Sequence, residues 1–237
     1  MRNLVIAFLI FAAFGFATPT ASAGPMLYEA AFSQNGVLSA PGSEPANWNL
    51  AGFDTVTGLG TITAQATGAG LYSILVFLDI EIDEETNTYF NEFGTVIGAP
   101  DAGLSWEIDE PGYGGILGDI YENFVAGTLD GYNALAGPPY DDVSMALGRA
   151  FELDADEVAT LTFRSSLSAP ASGFYLVHTD PDSASSVYFS SDITIRDGGT
   201  TVPDAGSTLL LLGLGLAACA RGLRRRDTHP RTHRLPG

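Results

Sequence analysis

Residues 71–83 read Leu-Tyr-Ser-Ile-Leu-Val-Phe-Leu-Asp-Ile-Glu-Ile-Asp, and this segment decides the fold class. One set of alternate positions is apolar throughout, from Tyr72 to Ile82. The other set changes from apolar residues such as Leu71 and Phe77 to acidic residues. A period of two is typical of a β-strand, because successive side chains point to opposite faces. The pattern predicts a strand that is buried on both faces at its start and reaches solvent on one face at its end.

The segments around this strand repeat the same alternation over short lengths. Residues 83–87 are polar and predict an exposed turn into an aromatic strand, Thr88 to Phe93, so that the two strands form a hairpin. Further alternating segments are centred on Trp106, Met145, Leu161, Leu176 and Phe189. Short strands separated by Gly, Pro, Asn and Asp predict an all-β domain over residues 24–196, an antiparallel sandwich of the jelly-roll or immunoglobulin-like kind.

One segment has helical spacing instead. Between Ile116 and Val125 the apolar residues recur every three or four positions, and glycines flank the segment. This spacing predicts a short amphipathic helix. We expect it to lie across one end of the sandwich.

The first residues have the order of a secretion signal. Arg2 precedes an apolar run from Leu4 to Phe16, about 13 residues and too short for the roughly 20 that span a bilayer. Ala21 and Ala23 form the small-x-small pattern that signal peptidase requires. The sequence therefore predicts a signal peptide over residues 1–23, with cleavage before Gly24; the alternative is an uncleaved anchor helix.

The last 36 or so residues carry a second apolar run. Val202-Pro203-Asp204-Ala205-Gly206 precedes the run Leu209 to Ala220, and basic residues follow it. These basic residues are Arg221, Arg224, Arg225 and Arg226. About 17 residues, 207–223, reach the short limit for a transmembrane helix, and arginines behind such a helix keep that side cytoplasmic. We predict a linker over 197–201, a transmembrane helix and a cytoplasmic tail over 227–237.

The motif, helix and arginines, in this order over residues 202–226, resemble the PEP-CTERM class of exosortase sorting signals. The motif is closest to the VPDSG variant of that signal, with Ala205 where the variant has Ser. Two features depart from the class: this alanine and the additional tail, 227–237. The resemblance implies cleavage by an exosortase-like membrane protease, transient residence in the inner membrane, and delivery to the cell surface or the exopolysaccharide matrix of a Gram-negative-type bacterium. A simple membrane anchor without sorting is the alternative.

The charge of the central part excludes one class of partner. Residues 24–201 contain three arginines and 26 of the 28 acidic residues, a net charge of about −23, and the chain has no lysine. Nucleic-acid binding depends on basic side chains that neutralise phosphates, so we expect no nucleic-acid partner. The single cysteine, Cys219, lies in the C-terminal apolar run, so the central domain has no disulfide and must be stabilised by its core.

The central domain shows no enzyme signature. Its only histidine, His178, lies on an alternating strand, which favours a packed or half-exposed residue over a catalytic base. One histidine without cysteine also argues against zinc. Paired carboxylates for glycoside cleavage stay open, with Glu107, Asp109 and Glu110 beside Trp106, although a solvated strand face explains these acids as well.

Calcium is the remaining cofactor hypothesis, because carboxylates in extracellular modules bind it at roughly 0.1 to 1 mM. Two groups of acidic residues are the candidates: Asp79, Glu81 and Asp83 along one strand face, and Asp154, Asp156 and Glu157 in a turn. Alternate strand residues lie roughly 6.6 Å apart, which is far for one ion. A solvated acidic face is the alternative, and no other cofactor is predicted.

Two functions follow as hypotheses. The first is a structural or adhesive protein of the surface or matrix, without enzyme activity. The second is a secreted glycan-binding module or a carboxylate-dependent glycoside hydrolase, in which aromatic residues in loops stack on sugar rings. The aromatic candidates for this are Trp48, Trp106, Tyr113 and Tyr132.

Overall fold

Eleven strands and one helix form the part of the chain that the computed structural model describes, residues 24–83, 90–112, 117–138 and 140–198. The elements are β1 (Met26–Gln34), β2 (Val37–Ser39), β3 (Trp48–Phe53), β4 (Gly60–Thr67), β5 (Gly70–Glu81), β6 (Phe93–Ile97), β7 (Leu104–Asp109), α1 (Ile120–Ala126), β8 (Ser144–Leu153), β9 (Glu157–Ser166), β10 (Tyr175–Asp180) and β11 (Ser185–Asp197). The predicted signal peptide and sorting tail lie outside the described residues. In the described ranges no helix is long and apolar enough to cross a membrane.

The strands form two antiparallel sheets. The five-stranded sheet has the order β2-β1-β5-β8-β7, and the six-stranded sheet has the order β3-β4-β9-β11-β10-β6. Apolar side chains from both sheets meet in one core, where Phe163 and Phe189 lie with ring centroids 6.4 Å apart. Each such buried side chain contributes roughly 1.5–3 kcal/mol. The prediction of an all-β antiparallel fold with one short helix is confirmed at this level.

Strand β5 separates two apolar layers, as its alternation predicts. Ile74, Val76 and Leu78 face the core between the sheets, and Leu75 and Phe77 face the other side. The predicted direction of burial is wrong, because Leu71 is 78% exposed whereas Asp79 is 2% exposed. The start of β5 follows the short turn after β4, whereas Asp79 lies beside Ser144 of β8 and Asp142.

The helix α1 covers the outer face of the five-stranded sheet, and the prediction that it lies across one end of the sandwich is wrong. Ile120 and Phe124 are buried against Phe77 and Ala146, with the Phe77 and Phe124 rings 5.8 Å apart. Without the helix, the apolar patch around Phe77 on this face of the sheet would be exposed. The contact therefore buries the apolar side of the helix and the apolar patch of the sheet together. The helix ends at Gly127, whose φ of 72° is left-handed and favours glycine.

Strand β5 does not form the predicted hairpin with an adjoining aromatic strand; residues 84–89, which include most of the predicted turn and the start of that strand, lie outside the described residues. Strand β5 is paired on both sides, with β1 and β8, whereas β6 belongs to the other sheet and pairs with β10. A strand can form a hairpin with the next strand only if one of its edges is unpaired. Here neither edge of β5 is free, so the chain crosses between the sheets.

Residues 131–135 join the edges of the two sheets. Gly131 N donates to Trp106 O of β7 at 2.9 Å, and the Asn133 side chain donates to Gly94 O of β6 at 2.9 Å. A Cβ at Gly94 would collide with Ile108, so the close approach of the sheets requires glycine there. The segment closes one side of the sandwich and protects two edges from pairing with other chains.

Candidate functional site

The outer face of the five-stranded sheet carries a row of acidic residues. The strand register places Glu29 opposite Asp79, Asp79 opposite Ser144, and Ser144 opposite Asp109. Paired residues of antiparallel strands share a face, so three carboxylates and one hydroxyl form a line across β1, β5, β8 and β7. The next row toward α1 is mostly apolar and ends at Glu107. The acidic row therefore borders the patch that the helix covers.

The Asp79 trio, which consists of Asp79, Glu81 and Asp142, is the first close group. Carboxylate oxygens of all three lie within 4.8 Å of one another. The spacing of alternate residues along a strand argued against one ion shared by Asp79 and Glu81. In the structure their side chains converge, and Asp142, in the segment before β8, adds a third carboxylate. Asp142 was missed because nothing local in the sequence places it near β5.

Asp79 is the most buried acid of this trio. Ser144 Oγ donates to Asp79 Oδ1 at 3.0 Å, inside the protein. Burial raises the pKa of Asp79 from 3.8 to about 7, with a further contribution from the neighbouring charge of Asp142. Near neutral pH this carboxyl is therefore divided between its neutral and ionised forms, and a bound cation would favour the ionised form.

The Glu107 trio, which consists of Glu107, Asp109 and Asp119, is the second close group. Glu107 is 1% exposed; Oε1 accepts from Asn123 Nδ2 at 3.0 Å and Oε2 from Asp130 N at 3.2 Å. Burial raises the pKa of Glu107 to about 7. Interpretation of this stretch as a solvated face is therefore wrong for Glu107, because both oxygens of its carboxylate anchor the helix and the following loop.

Asp109 fixes the entry to the helix. Its Oδ1 accepts from Glu110 N at 2.8 Å and its Oδ2 from Asp119 N at 3.0 Å. Burial raises the pKa of Asp109, and burial together with Asp141 raises that of Glu110 to about 7. Protein donors therefore occupy the carboxylates of Glu107 and Asp109, two of the three residues that the sequence suggested as a catalytic group with Glu110.

The other predicted calcium ligands do not join either trio. Glu157 Oε2 accepts from Asp154 N at 2.8 Å, and Glu157 N donates to Asp154 O at 3.1 Å, which closes the β8–β9 turn. Asp156 is exposed in the same turn and accepts through its carbonyl from Gly198. Asp83 is 5% exposed and follows β5 without joining the Asp79 trio. Calcium at Asp79 and Glu81 stays a prediction.

His178 is fully buried and joins the two sheets. Its Nε2 lies 2.6 Å from Glu92 Oε2, and Glu92 Oε1 accepts from Ile82 N at 3.2 Å. His178 is in β10 of the six-stranded sheet, whereas Ile82 directly follows β5. The packed interpretation of His178 is confirmed, but its partner Glu92 was not predicted, because it lies 86 residues away in the chain.

The four aromatic residues proposed for sugar stacking differ in their burial. Trp48 is 6% exposed and its Nε1 donates to Gln34 Oε1 at 2.9 Å. Trp106 packs on Phe174 with centroids 5.8 Å apart. Tyr132 is exposed, and Tyr113 lies outside the described residues. Trp48 is therefore too buried to stack on a sugar ring, whereas Trp106 is half-buried.

The processing residues lie outside the described part of the chain, apart from Gly24, which is exposed at its start. These are Ala21, Ala23, the motif Val202 to Gly206 and the arginines 221 and 224–226. Comparison with protein-family models, with curated proteins and with solved structures finds no significant match to this chain.

Proposed function

We propose that this chain is an exported structural or adhesive protein of the cell surface or extracellular matrix, processed at an exosortase-type sorting signal. The observation that carries the proposal is the order of features at residues 202–226: the motif, the apolar run and the arginine cluster. The apolar run at residues 4–16 supplies the matching export signal. Signal peptidase and an exosortase-like protease are the partners this order requires.

The central domain suits that location for two physical reasons. Its core is apolar and continuous between the sheets, so it needs no disulfide in an oxidising compartment. Its charge of about −23 keeps it soluble and separate from other copies. We also propose a jelly-roll or immunoglobulin-like arrangement for the two sheets, the finer form of the predicted sandwich.

Cell fractionation tests the sorting proposal. Deletion of residues 203–206 is compared with deletion of residues 198–201, a matched change of four residues in the adjacent linker. We expect the first deletion to retain the chain, with its tail, in the inner membrane, whereas the control reaches the surface and loses its tail. Mass spectrometry should place the mature N-terminus at Gly24.

Two outcomes contradict the proposal in different ways. If both deletion variants reach the same place and both keep, or both lose, the C-terminal tail, the motif has no sorting role and only anchoring is left. If the native chain is recovered at its full 237 residues from the cytosol, export itself is wrong.

A further inference from the structure

A polar cleft lies at the end of the sandwich where β4 begins and β9 ends. Its volume is about 560 Å³, within the range typical of small-molecule sites. We call it the arginine cleft, and its main lining residues are Thr61, Asp101, Arg149, Arg164, Ser190 and Ser191. Two of the three arginines of residues 24–201 therefore line one cleft of a strongly acidic domain.

Arg149 forms the floor of the arginine cleft and is 5% exposed. Its Nε donates to Ser191 Oγ at 3.1 Å, its Nη2 to Ser191 O at 2.8 Å, and its Nη1 to Asp101 Oδ2 at 3.0 Å. A buried cation is tolerated only when such partners compensate its desolvation. These bonds hold the side chains of Asp101 and Ser191 in place at the base of the cleft.

Arg164 is the accessible charge at the rim. Its side chain is 57% exposed and its contact with Asp192, itself 73% exposed, is a single one at 3.3 Å. An exposed pair of this kind contributes little to stability. Both side chains can therefore turn toward a ligand without a large loss elsewhere.

The charges of the cleft indicate what kind of ligand it fits. Arg149 pairs with Asp101 and Arg164 pairs with Asp192, so the local net charge is zero. An anionic ligand would face two aspartates and the field of an acidic domain, and a cationic ligand would face two arginines. A neutral molecule with many hydroxyl groups can donate to the exposed carboxylates of Asp101 and Asp192 and accept from Arg164.

Hydroxyl groups continue from the cleft across the outer face of the six-stranded sheet. The strand register aligns Thr61, Arg164 and Ser190 in one row across β4, β9 and β11. The next rows are Thr63, Thr162 and Asp192, and then Gln65, Thr160 and Thr194. Successive rows lie roughly 6.6 Å apart, so three rows give a polar strip that an extended chain of sugar units can follow.

We infer that the arginine cleft and this adjoining strip bind a neutral polysaccharide chain. Thr61 and Ser190 bond to one sugar unit in the cleft beside Asp101, which Arg149 holds in place, and Arg164 with Asp192 bonds to its hydroxyl groups at the rim. This inference uses only the described sandwich and does not depend on whether the chain is exported or sorted. It differs from the stacking hypothesis because it uses no aromatic platform.

The test uses the full chain in mild detergent and an array of oligosaccharides. The probes are neutral hexasaccharides of glucose, mannose and galactose, together with uronic-acid oligosaccharides of the same length. The strongest neutral probe is then titrated calorimetrically against three variants. Arg164→Gln removes the rim donor, and Ser172→Trp fills the cleft from an exposed loop position. Glu152→Gln is the control, because it removes one exposed charge from β8 of the other sheet.

The native chain is expected to bind at least one neutral probe, with an affinity unchanged between 50 and 500 mM salt. Arg164→Gln should weaken binding at least about tenfold, as expected for the loss of hydrogen bonds to a charged group. Ser172→Trp should weaken it as much because the indole occupies the cleft, and Glu152→Gln should leave the affinity unchanged. Thermal melting establishes that each variant is folded. Any of three results would overturn the inference. These are no binding to any neutral probe, tighter binding to the uronic-acid probes, and equal affinity of all three variants.

Discussion

Replacing Asp79 by asparagine is expected to stabilise the protein at pH 8 and to leave its stability unchanged near pH 3. The side chain is 2% exposed, and its pKa is raised from 3.8 to about 7. Since the folded state binds this proton more tightly than the unfolded state, its stabilising effect is complete below pH 4. It is lost as the pH rises from about 4 to about 7.

The magnitude follows from the shift. A change of about three pKa units at 1.36 kcal/mol each corresponds to about 4 kcal/mol, as an upper limit. Asparagine keeps an oxygen to accept the hydrogen bond from Ser144 but cannot ionise. The free energy of unfolding of Asp79→Asn should therefore exceed that of the native chain at pH 8 by up to this amount, and the two curves should converge at low pH.

The assay is urea unfolding of residues 24–198, which contain all described strands, followed by the fluorescence of the two tryptophans between pH 3 and 8. EDTA is present because a bound cation would favour the ionised carboxylate. Asp156→Asn is the matched control, since it removes one acid from an exposed turn. Parallel curves of unfolding free energy against pH for the native chain and Asp79→Asn would refute the reasoning.

Three further changes test the packing and the calcium prediction. His178→Ala should destabilise the chain by roughly 3 kcal/mol or more in urea unfolding, because it removes the side-chain partner of the buried Glu92 carboxyl group; a loss under 1 kcal/mol would argue against this pair. Phe124→Ala should cost roughly 3–5 kcal/mol by the same measurement, and Val125→Ala, at a position 40% exposed on the same helix, far less; equal losses would contradict the placement of α1. Calcium at the Asp79 trio should raise the melting temperature of the native chain but not of Asp142→Asn, and no rise in the native chain would remove the calcium prediction.

The sequence predicts the strands well because alternation is a local property. The segment 71–83 shows which side chains share a face, and its inner residues Ile74 and Val76 do lie in the core. The helical spacing before Val125 likewise locates α1 within a few residues. The predictions for the signal and the sorting tail also come from local patterns, of charge and apolar length, and they lie outside the described residues.

Only the tertiary structure decides which strands are neighbours and therefore which polar groups meet. The pairing of β5 on both sides prevents the hairpin, and the register across four strands assembles the acidic row. Glu92 reaches His178, and Arg149 reaches Ser191, across 86 and 42 residues of chain. Alternation fixes the face of each side chain but carries no information about its partner, because strand pairing is a property of the whole core.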